Sequence, residues 1–151
     1  MNEILEAISQ LRIITENLIK VGIVKTYFPE RHTAVVELKD NDEITTEELP
    51  ILTPFTYLDK AFFPLNEGQK VLVIFLPEGE NTDGFIIGAF FDEENPPPVQ
   101  NKDKFHIVFE DGTSFEYDKS NHKLNIHSVG DIEIISDTHI TLKAPRIDLN
   151  P

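Results

Sequence analysis

The hydrophobic and polar positions fall into three regimes along the chain. Residues 2–20 carry Ile4, Ala7, Leu11, Ile14 and Leu18 at alternating three- and four-residue spacing, the a/d pattern of a helical seam. Glu3, Glu6 and Glu16 fall on other faces and the stretch has no Gly or Pro. The spacing predicts a helix over 1–20 that stops near Gly22, a residue able to end a helix. The same stripe suits packing on the chain's own domain or a seam to a partner subunit.

Residues 21–95 change period. Short β-type runs recur at Ile23 to Phe28, Ala34 to Leu38, Leu49 to Phe55, Val71 to Phe75 and Phe85 to Phe90. Turn chemistry separates them: Pro29-Glu30-Arg31, Asp40-Asn41-Asp42, Asn66-Glu67-Gly68 and Glu78-Gly79-Glu80. Five short strands suit a small closed barrel of the OB type, in which closure removes exposed edges. A small β-sandwich shares the pattern. Pro96-Pro97-Pro98 then breaks the ladder potential and stiffens the chain, so 96–102 reads as a linker.

Residues 103–151 are the most regular. Phe105, Ile107 and Phe109 alternate with polar neighbours, Glu110-Asp111-Gly112-Thr113 turns the chain, and Phe115 and Tyr117 alternate on the return: a hairpin. Four apolar pairs follow, Leu124/Ile126, Ile132/Ile134, Ile140/Leu142 and Ile147/Leu149, starting 8, 8 and 7 residues apart. Strand side chains alternate faces, so these eight residues point one way. The opposite face carries Lys123, Asn125, His127, Asp131, Glu133, Ile135, His139, Thr141, Lys143, Arg146, Asp148 and Asn150, of which only Ile135 is apolar. Very short strands with regular turns and a strict inside/outside code are a β-solenoid signature. One apolar row buries too little to offset the ordering of its own repeat. Cyclic symmetry supplies the missing walls, and three chains with one row each facing an axis form a triangular prism. An ordinary sheet packed on the barrel is the other arrangement the pattern allows. The fold expected is therefore all-β with a short N-terminal helix, an OB-fold barrel and a trimeric intertwined β-helix needle.

Composition narrows the partners. Lys plus Arg is 13 against 27 Asp plus Glu, a net charge of −14, which disfavours nucleic acid and anionic membrane surfaces. Among residues 50–69 the rings of Phe55, Tyr57, Phe62 and Phe63 accompany a single cation, Lys60, too few for the basic groove of a single-strand binder. No cysteine is present, so thiol catalysis, disulfides and Cys-based metal sites are excluded. The acidic opening Met1-Asn2-Glu3 lacks a secretory n-region. No apolar run reaches a membrane span. No catalytic constellation stands out: Glu93 and Glu94 lie beside the prolines, and adjacent carboxylates need not face a common substrate. No cofactor is expected.

At this point the chain resembles a known family, the baseplate assembly protein V spikes of contractile-tailed phages and phage-like bacteriocins. The residues that carry the resemblance are Phe63-Pro64-Leu65-Asn66-Glu67-Gly68-Gln69-Lys70-Val71-Leu72-Val73 entering a barrel strand, and Asp83-Gly84-Phe85-Ile86-Ile87-Gly88-Ala89-Phe90 as the last one. Asn95-Pro96-Pro97-Pro98 resembles the linker, and Phe105 through Tyr117, with Asp111-Gly112 at its turn, the hairpin that opens the needle. The resemblance covers nearly the whole chain.

It implies a homotrimer in the tail tip of a virion or phage-like particle, its barrels under the tube and hub and its needle driven into the host cell envelope by sheath contraction. Type VI spikes and extracellular contractile injection systems share this architecture, the former in longer chains with hub domains. Longer members of the resembled family end in a His-x-His apex that binds iron. His32, His106, His122, His127 and His139 include no such pair, and strand parity turns His127 and His139 outward, so no metal is expected. Some similar spikes carry a lysozyme-like domain between barrel and needle, for which the ten residues between Phe91 and Lys102 leave no room. A blunt end at Leu149, Asn150 and Pro151 would expose an apolar cross-section, which a PAAR-type tip protein is expected to cap.

Overall fold

A computed structural model describes residues 1–39, 44–77 and 83–150. The turns read at Asp40-Asn41-Asp42 and at Glu78-Gly79-Glu80, and Pro151, lie outside the described residues. The chain divides into two compact units, Met1–Pro96 and Pro97–Pro151.

The first unit opens with helix α1, Asn2–Leu18. The backbone turns extended at Ile19 and runs on as the ten-residue strand β1, Ile19–Phe28. Gly22 therefore does not end the helix. It lies inside β1, opposite Leu38 on one side and Val71 on the other. A Cβ there would come within 2.3 Å of the Val36 side chain and 2.7 Å of the Glu37 carbonyl oxygen, so close approach of the neighbouring strand, not a helix stop, demands glycine.

Strands β2 (Thr33–Leu38), β3 (Leu49–Pro50), β4 (Lys70–Phe75) and β5 (Gly84–Ala89) complete a five-stranded sheet in the order β3-β2-β1-β4-β5. A parallel bridge between Ile51 and Ile86 and the Leu52 N–H to Ile86 carbonyl bond of 3.0 Å bring its two ends together. The result is a nearly closed, OB-like barrel. Register shifts after Val24 in β1 and after Leu72 in β4 supply the local bends that closure needs. Alternation is strict: Val24, Ala34, Val36, Leu49, Ile51, Val71, Val73 and Ile86 form the core, and their sequence neighbours do not.

The run Leu49 to Phe55 is shorter as a strand than its composition suggests. Pro50 and Pro54 have no N–H to donate, and after Ile51 the chain is committed to β5. The irregular segment beyond it returns through a turn at Asn66–Gln69, where the Gln69 N–H donates to the Asn66 carbonyl and Gly68 takes φ 87°, the third position of a type II turn.

The second unit is a three-stranded antiparallel sheet, β6 (Lys104–Val108), β7 (Ser114–Asp118) and β8 (Lys123–His127). Among the described residues, 128–150 form no strand, so the expected strands at Ile132/Ile134, Ile140/Leu142 and Ile147/Leu149 have no ladder partner within their own chain.

Candidate assembly surface

The two turns of the second unit are held by carboxylates. Asp111 accepts the Thr113 N–H at 2.8 Å and its hydroxyl at 3.1 Å, and Gly112 (φ 91°) donates to the Phe109 carbonyl at 3.0 Å. Asp118, only 7% exposed, accepts from the Ser120 hydroxyl at 2.7 Å, the Asn121 side-chain amide at 2.9 Å and both residues' backbone N–H groups. These donors, the Ser120 hydroxyl foremost, hold its carboxyl well below the usual carboxylate range. Tight turns at both ends fix the register, and register decides which side chains share a face.

The result is a sheet with two unlike sides. Phe105 pairs with Tyr117 and Tyr117 with Leu124; Ile107 pairs with Phe115 and Phe115 with Ile126. These six form one continuous apolar face, with the rings of Phe105 and Phe115 meeting edge to face at 6.3 Å. The other face is polar apart from Val108, and its centre is better covered. Glu116 accepts from Lys104 at 2.9 Å and lies 3.0 Å from His106 Nδ1, its carboxyl lowered and the Lys104 ammonium raised by their shared bond. His127, whose Nδ1 lies 3.4 Å from the Gly112 carbonyl, belongs to this polar side by strand alternation.

Burial runs opposite to polarity. The six apolar residues are 37–62% exposed, whereas the side chains of His106 and Glu116 behind them are 15% exposed. Among the described residues of Pro97–Pro151 no apolar side chain is buried; Asp118 is the only buried residue. The eight axis candidates, Leu124, Ile126, Ile132, Ile134, Ile140, Leu142, Ile147 and Leu149, are 48–80% exposed. The structure brings Leu124 and Ile126 together with the hairpin aromatics and leaves the later six without a partner element in their own chain. Of the residues considered for tip docking, Leu149 is exposed, Asn150 takes φ 51°, and Pro151 lies outside the described residues.

The joining of the hairpin face to the first apolar pair was not visible in the sequence, since register required the turn lengths. One polar constellation carried no periodic signal. Lys70 at the start of β4 bonds Asp92, and Glu94 at 2.7 Å, after β5. Asp92 also caps the backbone N–H groups of Glu94 and Asn95. Asp92 above all raises the Lys70 ammonium, and Lys70 lowers the Asp92 carboxyl. Glu94 is thus an ion-pair partner of the barrel. Among the described residues no group of three or more His, Asp or Glu side chains is placed to hold a metal ion. Among the described residues no helix is long and apolar enough to cross a membrane.

In comparisons with known proteins, no family model matches the chain and no curated protein matches it.

Proposed function

We propose that this protein is the central spike of a contractile-tail baseplate, a homotrimer whose three C-terminal segments intertwine as a β-helical needle. The observation that carries the reading is the inverted sheet of the second unit: its apolar face and all eight axis residues stand exposed, while His106 and Glu116 at the centre of its other face are only 15% exposed. Backbone and side chains there make the same demand, since residues 128–150 have no ladder partners and the apolar row has no opposing wall. Two further copies meet both needs at once, by pairing strands between chains and bringing three rows to one axis.

On this reading the OB-like barrel is the platform that joins the needle to hub and tail tube, and the Pro96-Pro97-Pro98 run is a semi-rigid spacer. The sheath supplies the work of penetration and the spike supplies stiffness, so the chain needs no catalytic groups. An acidic exterior over a dry axis keeps a rod soluble and repels it from anionic surfaces. Those expectations of hub, envelope and a PAAR-type tip protein come from the resemblance in sequence. A type VI-like or extracellular injection apparatus would use the same construction.

Immunogold labelling of purified contractile particles, with an antibody to the barrel, tests the assignment. Label confined to the baseplate tip is expected. Particles that puncture cells yet carry no label would refute it.

A further inference from the structure

Helix α1 is amphipathic and its apolar side is bare. None of its 17 residues is buried, and Ile4, Ile8 and Leu11 are each more than half exposed. No side-chain cap satisfies its first N–H groups, and a helix of this length is marginal in water by itself. Among the described residues its own barrel meets the C-terminal turns, where Ile13 and Ile14 line a groove with Phe75 and Leu76. Among the described residues, the turns from Ile4 to Leu11 have no partner in the unit.

The spacing identifies the partner. In the 3-4 pattern Ile4, Leu11 and Leu18 take a positions and Ala7 and Ile14 take d. Leucine at a with isoleucine at d, as in Leu11 and Ile14, shifts helices away from two strands towards three or four. Ile8 widens the stripe beyond a strict a/d seam, as a bundle of more than two helices needs. The flanking pairs of a parallel coil would be Glu3 with Ile8 and Gln10 with Thr15. No like charges meet there, although each chain carries −14. The Arg12–Glu16 ion pair, 2.7 Å, occupies the outer b and f positions. The chain also passes from Leu18 straight into β1 with no intervening loop, so each copy offers its helix at a set attitude to its barrel.

We infer that the α1 helices of three copies pack in parallel on this stripe, forming a second trimer contact separate from the needle strands. The inference rests on the threefold reading above and adds to it a clamp at the barrel end of each chain.

The absence of cysteine makes the test direct. Single full-length variants Leu11→Cys (an a position), Ile4→Cys (one heptad earlier) and Ser9→Cys (the outer face) are oxidised and run on non-reducing gels. Same-position disulfides at both of two sites one heptad apart require parallel helices in contact. Leu11→Cys and Ile4→Cys should link about two of every three chains, the most a threefold site allows, and Ser9→Cys few. Having Ile4→Cys at a different turn guards against local disturbance at Leu11. If the unmodified chain is trimeric by mass but neither inner variant links more than Ser9→Cys, the helical clamp is overturned and the needle reading stands. A monomeric mass overturns both.

Discussion

Truncating Ile126 separates a lone sheet from a buried one by magnitude alone. In the isolated chain Ile126, the fourth residue of β8, is 62% exposed, so Ile126→Ala removes little burial. Its cost there is the lower strand preference of alanine, about 1 kcal/mol at most. If the face meets two other copies, the same change deletes a buried isoleucine and leaves a cavity, about 2–5 kcal/mol per chain. The symmetry repeats this three times in one cooperative unit, so the loss reaches on the order of 6–15 kcal/mol per assembly. Lys123→Ala, on the polar face of the same strand, is the matched control, with an effect of about 0.5 kcal/mol or less. Thermal unfolding followed by circular dichroism at several protein concentrations reads both variants. The unmodified protein should melt at higher temperature as concentration rises, by mass action. Ile126→Ala should melt markedly lower at every concentration. Equal melting of Ile126→Ala and Lys123→Ala, with no concentration dependence, would refute the burial of this face.

Other expectations address the supporting structure. Gly22→Ala should destabilise the barrel by about 1–3 kcal/mol in denaturant unfolding, because its methyl group has no room beside Val36 and the Glu37 carbonyl. Asp92 has a lowered folded pKa, so its contribution is full above the ordinary carboxylate value near 3.8 and is lost as pH falls through the folded value. Lys70, with a raised pKa, contributes fully below about 10.5 and loses its contribution only as pH climbs through its higher folded value. Lys70→Met should therefore flatten the acid limb of barrel stability in a pH series of melts, and an unchanged limb would show that the pair is not coupled to folding. Asp118→Ala strips the β7–β8 turn of its acceptor. Faster hydrogen exchange at the Ser120 and Asn121 amides is expected, and unchanged protection would assign that turn's order elsewhere.

Much of the fold was legible because burial writes its period into the chain. The barrel strands declare themselves through Ala34/Val36 and Val71/Val73, where alternation and core coincide. Gly22 misled because one residue type serves two physical needs, a helix stop and a crowded strand crossing, and only the position of Val36 distinguishes them. The run after Leu49 misled because Pro50 and Pro54 outweigh the apolar content around them. The apolar pairs from Ile132 to Leu149 were plain in sequence, but pattern fixes only which face a side chain takes. Which backbone a strand pairs with is a tertiary or quaternary matter, and within one chain these segments pair with none. The Lys70–Asp92–Glu94 cluster joins residues more than twenty positions apart, so no local spacing announces it.

The mass of the full chain in solution, by light scattering on a size-exclusion column, tests the threefold account most directly. It predicts a single species at about three times the 17.2 kDa chain mass, stable on dilution. A species at 17.2 kDa would leave the exposed apolar rows unpartnered in the native protein and contradict the account.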